Sequence, residues 1–412
     1  MKSLLIVCDG MGDRLTDGKT PLEVAYTPNM DKLASVGING IMDSIRAGIR
    51  PGSDTAHISL FGYDPYKVYT GRGPFAAAGV GLELKKGDLA LRCNFATLDE
   101  NGIIIDRRAG RDEYGLDELA SSLDGLEIEN FDIIFKRSGG HRAALVIRRS
   151  ELLGPYELSS RIIEPDPHIA GVGIAKAEAL DASPQSRYTA DILNEFVKRA
   201  IEILREHRIN KERIEAGKLP ANAILPRGVG TKPEIESFEH KYGIRGASVS
   251  GMALIKGICR TIGLDVIEVE NATGHVDSNI GGKADAAIKA LEEYDFVFLH
   301  IKGTDEASHD GNFDGKKNMI ERVDREVMGK ILGEVDLGGV NVVLTSDHAT
   351  PISIKQHTAD PNPIVIAGDV RTDLVTKFNE RDCARGDLGR IRGRDLMNIL
   401  MDLSDKAKLF GA

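Results

Sequence analysis

Four short segments constrain what this chain can fold into more than any other feature. Ser3–Val7, Asp295–Ile301, Val340–Thr345 and Pro363–Ala367 are apolar almost throughout, with no polar alternation. A strand that is apolar at nearly every position must be covered on both faces. Helical patterns such as Lys283–Glu293 and Phe313–Leu332 flank these runs and provide that cover, which is how a mainly parallel α/β sheet reads. The first run leads into a glycine-rich loop, Asp9-Gly10-Met11-Gly12. Thr27-Pro28 opens a helix that reaches about Val36 and stops at Gly37.

The middle of the chain reads differently. From about Thr70 to Ser186 it carries glycine-rich turns, short strands (Ile103–Ile105, Asp132–Phe135, Ala144–Ile147) and many arginines. The expectation is an α/β core built from residues 1–69 and 187–412, with a smaller α+β domain, 70–186, inserted into it. A long helix from about Arg187 to Arg208 would return the chain to the core. A chain of 412 residues has room for both.

Composition excludes several classes of function. With 42% hydrophobic and 28% charged residues the chain reads as globular rather than disordered. A net charge of −10 argues against a nucleic-acid groove as the main function, while leaving room for a local basic cluster that binds a small anion. No apolar run reaches the length of a membrane span, and Met1-Lys2-Ser3 runs straight into a strand rather than a signal peptide. Cys8, Cys93, Cys259 and Cys383 have no paired spacing, so a reducing cytoplasm is the expected setting. No Walker A loop, dinucleotide fingerprint or hydrolase elbow is complete: Gly281-Gly282-Lys283, Gly79-Val80-Gly81, Gly171-Val172-Gly173 and Gly246-Ala247-Ser248-Val249-Ser250 each miss a required position.

Ligand-type residues stand where the apolar runs end. Asp9 follows the first, Asp305 and His309 the second, Asp347 and His348 the third, and His357 comes nine residues after His348. In a parallel sheet all carboxyl ends lie at one edge, so loops distant in sequence converge there. Asp305 and His309, at i and i+4, can share one face of a helical turn and chelate one ion. Adjacent Asp347 and His348 point in different directions, which suits a pair of ions held by a cluster of ligands. Mixed oxygen and nitrogen donors fit Mn²⁺ or Zn²⁺. By contrast, His207 and His240 read as solvated, His168 and His275 as loop residues, and His300 as a hydrogen-bonded core residue.

Pro51-Gly52-Ser53-Asp54-Thr55-Ala56-His57 looks like a turn opening a helix. Ser53 at a helix N-terminus would sit in a positive field beside backbone N–H groups able to bind phosphate. Next to a metal its hydroxyl would become a nucleophile near neutral pH. Local sequence leaves two roles open for it, nucleophile and N-cap.

Further segments are Tyr69-Thr70-Gly71-Arg72-Gly73-Pro74-Phe75, Arg92-Cys93-Asn94-Phe95-Ala96-Thr97, Asp106-Arg107-Arg108-Ala109-Gly110-Arg111, Lys302 through Gly311, Thr345 through Pro351 and His357 through Pro361. Taken with the segments around Asp9 and Ser53, their order and spacing resemble the archaeal-type 2,3-bisphosphoglycerate-independent phosphoglycerate mutases of the alkaline-phosphatase superfamily. The resemblance spans nearly the full length. It implies a phosphatase-like α/β core carrying an inserted substrate domain. It implies that Asp305, His309 and His357 hold one divalent metal, and that Asp9, Ser53, Asp347 and His348 hold the other. Ser53 would be the phosphorylated residue. Mn²⁺ is the expected metal, with Zn²⁺, Co²⁺ or Mg²⁺ as alternatives, and no 2,3-bisphosphoglycerate is required. The expected reaction interconverts 3-phosphoglycerate and 2-phosphoglycerate.

Such a reaction must hold glycerate's carboxylate, and arginine suits that because its planar fork pairs two oxygens. Arg92, Arg107, Arg108 and Arg111 cluster in the expected insert, with Arg72 near its entry, and Arg137, Arg142 and His141 form a second group. His141 is also an acid/base candidate, and Lys256, on an apolar helix Met252–Ile262, could reach the phosphate. The partner is therefore a small molecule, and no expectation about oligomeric state follows. The rival activities are a metal-dependent phosphatase or phosphodiesterase of the same superfamily, and a non-catalytic sensor of phosphorylated metabolites on the same fold.

Overall fold

The computed structural model describes residues 1–16, 18–149, 157–409 and 411. They form two units, Met1–Tyr69 with Ile235–Ala412, and Thr70–Glu234.

The first unit is built on eight strands: β1 (Lys2–Cys8), β2 (Gly37–Asp43), β3 (Gly246–Val249), β4 (Asp265–Ile267), β5 (Phe296–Ile301), β6 (Val340–Thr345), β7 (Asn362–Ala367) and β8 (Gly389–Arg392). They lie in the order β4-β3-β5-β1-β6-β7-β2-β8. β1 is central and parallel to both neighbours, with Val7 beside His300 of β5 and Thr345 of β6. Leu4, Ile6, Val297, Leu299, Val342 and Leu344 are buried in one core with Ala284, Ala287, Ile320 and Val323 from helices. Each such aliphatic side chain contributes roughly 1.5–3 kcal/mol when fully buried. The α/β expectation holds for this unit.

The fourth apolar run departs from a parallel reading. β7 is antiparallel to both β6 and β2. Parallel neighbours need a crossover, usually helical, and residues 346–361 between β6 and β7 make turns but no helix. The reversal puts the start of β7, with His357 just before it, at the edge where β1, β5 and β6 end. Three helices complete that edge: α1 (Ser53–Leu60), α2 (Gly303–His309) and α3 (Phe313–Val323).

The second unit has an antiparallel sheet in which Leu89–Leu98 lies between Ala223–Thr231 and Arg142–Arg149, followed by Phe131–Gly139. The helix Pro184–Glu206 covers one face, burying Leu193 and Phe196 with Phe95 and Phe135. On the other face Arg72–Gly79 packs with Ala90, Ala144 and Val146. Gly73 permits that approach, since a Cβ there would meet the Ala90 carbonyl oxygen at 2.1 Å. The expected end of the insert at 186 therefore falls short. The long helix and the strand Ala223–Thr231 belong to the second unit's own core, which runs to Glu234. Among the described residues no helix is long and apolar enough to cross a membrane.

Candidate metal centre

The ligand-type residues at the strand ends of the first unit form one buried cluster. Asp9 extends the ladder by one residue, its N–H donating to Ile301 O at 2.8 Å. Gly10 then turns with φ +67°, and its N–H donates to Asp347 Oδ1 at 3.1 Å. A Cβ on Gly10 would lie 2.7 Å from Asp305 Cβ, so only glycine lets this loop meet α2. The Asp9 carboxylate accepts from His300 Nε2 at 3.0 Å and from Lys302 Nζ at 2.9 Å. The same ammonium also bonds Asp305.

The histidines share one orientation. His309 Nδ1 faces the Lys355 carbonyl at 2.9 Å, and His357 Nδ1 faces the Pro51 carbonyl at 3.0 Å. His348 Nδ1 faces Thr350 Oγ1 at 3.0 Å, and that hydroxyl donates to Asp305 Oδ1 at 2.9 Å. The acceptor opposite each Nδ1 calls for an N–H there, which turns Nε2 inward, the orientation a metal ligand needs; at His309 the hydrogen bond with Asp305 raises the pKa, so a cation would have to displace a proton. His309 Nε2 is 3.4 Å and His357 Nε2 3.6 Å from Asp305, while His348 Nε2 is 3.4 Å from Asp9 and 3.2 Å from Asp347. Burial and the neighbouring His357 push the His348 pKa well below its ordinary value, which keeps the ring neutral.

Ser53 is the first residue of α1, and the N-cap is Gly52. The N-cap role left open by sequence therefore falls to Gly52 and not to Ser53. Its hydroxyl lies 3.2 Å from His348 Nε2, and its carbonyl accepts from His57 Nδ1 at 2.6 Å.

The donor set fits divalent cations. Asp9, Asp305 and Asp347 are buried together with Lys302 as the nearby ammonium. Burial opposes ionisation of Asp9, yet Lys302 and the His300 hydrogen bond hold it below the usual carboxylate range. Burial and then the Asp9 charge push Asp347 well above it, and Asp347 Oδ2 is buried with no hydrogen-bond donor. An orphaned carboxylate oxygen beside inward-facing imidazole lone pairs is what a cation would satisfy. The ligand atoms of Asp9, Asp347 and His348 lie within 4.8 Å of one another, as do those of Asp305, His348 and His357. His348 thus stands in both groups, where the resemblance implied one, and His309 touches the second group through Asp305.

The expected substrate residues divide. In the second unit the Arg107 guanidinium is paired with buried Asp166 at 2.6 and 2.8 Å. Burial, then Arg142, Arg108, Arg92 and Arg111, push the His141 pKa down to about 3. Burial and the charges of Arg108, Arg227, Arg72 and Arg111 lower Arg142. The charges of these arginines thus converge on a neutral imidazole, and Asp166 lies against Arg107 and, at 3.7 Å, against Arg227. Arg137 stands apart, paired with Glu113 at 2.6 Å and Asp117 at 2.7 Å. Lys256 is ion-paired with Glu268, a partner that local sequence did not suggest. Sequence reasoning missed Arg227, which lies opposite Arg92 in register, and gave Lys302 and His57 no role. His300 is a buried core residue as read, with the added task of holding Asp9.

A mainly parallel sheet whose edge gathers ligand-type Asp and His side chains around a serine is the arrangement of a metal-dependent class of enzymes, and a profile of the Metalloenzyme superfamily matches residues 1–403. The chain is 51% identical over 414 residues to 2,3-bisphosphoglycerate-independent phosphoglycerate mutase 1 of Methanocaldococcus jannaschii, covering 100% of this chain and 99% of the relative. It matches the structure of cofactor-independent phosphoglycerate mutase from Thermoplasma acidophilum with TM-score 0.68 and 40% identity, over 98% of this chain and 100% of that one. A Pyrococcus horikoshii protein gives TM-score 0.85 and 42% identity, over 100% of this chain and 99% of that one. The chain belongs to the archaeal-type 2,3-bisphosphoglycerate-independent phosphoglycerate mutases.

Proposed function

We propose that this protein interconverts 3-phosphoglycerate and 2-phosphoglycerate through a phosphoserine at Ser53. The observation that carries the reading is the position of the Ser53 hydroxyl, at the start of α1 and 3.2 Å from His348 Nε2 in the carboxylate–imidazole cluster. Two divalent cations, Mn²⁺ before Zn²⁺, Co²⁺ or Mg²⁺, held by Asp9, Ser53, Asp347 and His348 and by Asp305, His309 and His357, would acidify that hydroxyl and neutralise phosphoryl oxygens. Ser53 Oγ bonds to phosphorus as the bond from phosphorus to glycerate's oxygen breaks. Glycerate is retained, turns, and accepts the phosphoryl group on its other hydroxyl, which frees Ser53. The donor is the substrate itself, so no 2,3-bisphosphoglycerate is needed.

Arg92, Arg107, Arg108 and Arg111 hold glycerate's carboxylate in this reading, together with Arg72, Arg142 and Arg227 of the same cluster. The concentration of guanidinium charge around His141 supports it, since Asp166 is shared between Arg107 and Arg227 and a planar guanidinium fork suits a carboxylate. His141, neutral in that field, is available to hydrogen-bond the glycerate hydroxyls, and a bound carboxylate that offsets the arginine charges would raise its basicity toward acid/base use. The cysteines are buried and free, in keeping with a cytoplasmic setting. The test is to incubate purified protein with 3-phosphoglycerate and no bisphosphoglycerate, then assay 2-phosphoglycerate and free phosphate. The expected product is 2-phosphoglycerate. Free phosphate alone would mean a phosphatase, and neither product would end the reading.

A further inference from the structure

Lys316 lies on α3, and its ammonium is fully buried. It donates to the Gly12 carbonyl at 3.0 Å, to Asp13 Oδ2 at 3.1 Å and to the Thr350 carbonyl at 3.1 Å. An ammonium has three donors, and all are used. Its acceptors belong to two segments that carry candidate ligands. Gly12 and Asp13 close the loop that begins at Asp9, and Thr350 follows Asp347 and His348. Lys316 itself sits on the helix after α2, which bears Asp305 and His309.

Other bonds converge on the same point. Thr350 N–H donates to Gly12 O at 3.0 Å and Ile352 N–H to Asp13 Oδ2 at 3.2 Å. Asp13 N–H donates to Glu380 Oε1 at 2.9 Å, and Glu380 Oε2 accepts from Thr20 Oγ1 at 2.8 Å. A buried ammonium is tolerated only where paired and hydrogen-bonded. Burial lowers the Lys316 pKa and the Asp13 charge opposes that shift. An apolar side chain here would leave the Gly12 and Thr350 carbonyls and the Asp13 carboxylate without the ammonium, with only the backbone N–H groups of Thr350 and Ile352 still donating to Gly12 O and Asp13 Oδ2.

We infer that Lys316 is a positioning residue for the metal centre: its ammonium ties the segments 9–13 and 347–352 to the α2–α3 helix pair, and divalent-cation affinity depends on that tie. The inference rests on reading the cluster as a two-metal site. It needs no contact between Lys316 and substrate or metal.

The test is a Co²⁺ titration of metal-free protein, followed by visible absorption and by equilibrium dialysis. Wild type should take up two Co²⁺ per chain. Lys316→Met should bind Co²⁺ at least about tenfold more weakly, the usual scale for groups that orient metal ligands, with a changed ligand-field spectrum. Ile331→Ala, which opens a cavity in the same core on a helix without ligands, should keep the wild-type affinity and spectrum. If Lys316→Met does not fold, Asp13→Asn serves in its place: it keeps both carbonyl contacts but removes the counter-charge, and should weaken binding by a smaller factor. A wild type that takes up no Co²⁺ would remove the two-metal reading beneath the inference. A wild type that binds two ions while the variant tested binds as tightly, with the same spectrum, would overturn the inference alone. So would an Ile331→Ala loss equal to that of Lys316→Met, because general loosening would then explain both.

Discussion

At Ser53 two histidines hold different atoms: His57 takes the backbone carbonyl, while His348 faces the hydroxyl. Ser53→Ala should fold normally and lose mutase turnover by several orders of magnitude in the coupled assay, because the accepting oxygen is gone. His57 can be separated from mere packing. Asparagine presents its amide nitrogen where Nδ1 stands, so His57→Asn should keep much of kcat, and His57→Leu should lower kcat about tenfold or more with little change in KM. Equal losses in both would mean that the hydrogen bond to Ser53 is not what matters. Glu380 gives a pH signature away from the ligands. Burial is the largest influence on it and raises its pKa from 4.5 to about 7. A raised carboxyl binds more protons folded than unfolded, so its stabilising contribution is full below 4.5 and is lost as pH rises through 7. Urea-unfolding midpoints should fall over that window, and less so in Glu380→Gln. The candidate ligands were legible in the sequence because each is a ligand-type residue at a strand end, or shortly before a strand begins, and topology alone brings such positions together. Lys302, His57 and Arg227 were not, since their roles come from atoms across the sheet or across a strand pair that no local pattern records.

Among the elements, the turn 109–111 strings three left-handed residues together. Ala109, Gly110 and Arg111 have φ of 47°, 70° and 57° in succession, a conformation that costs non-glycine residues on the order of 1–3 kcal/mol each. The turn is flanked by Arg108 and carries Arg111, both of which act on His141. If this cluster grips glycerate, its loss should spare phosphorylation of Ser53 and impair return of the phosphoryl group. Arg108→Ala and Arg111→Ala should therefore raise the ratio of free phosphate to 2-phosphoglycerate. An unchanged ratio in both, and in Arg92→Ala and Arg107→Ala, would remove the carboxylate grip. Elements were read with uneven success for physical reasons. Apolar runs announced β1, β5, β6 and β7, because burial on both faces leaves an unmistakable composition. The direction of β7 was not in its composition but in the helix-free link before it. The helix Pro184–Glu206 was visible as a helix, but nothing in its sequence says which sheet its apolar stripe covers.

At the scale of the whole molecule, the buried carboxylates link metal content to stability. Dialysis against EDTA should abolish activity and lower the thermal midpoint. Mn²⁺, Co²⁺ or Zn²⁺ should restore both, whereas Ca²⁺, which prefers all-oxygen shells, should restore little. Full turnover in excess EDTA would sink the two-metal assignment. The order of the central strands has a consequence of another kind. Ser3 of β1 pairs with Phe296 and Asn341, so during synthesis β1 has neither neighbour until nearly 300 further residues have been made. The second unit is contiguous and can close its own sheet while β5 and β6 are still untranslated. For much of its synthesis the nascent chain must therefore carry an apolar strand with two open edges beside an already finished domain. Such a species exposes unpaired backbone groups to other chains, and a slow codon run placed between the two events would lengthen that exposure.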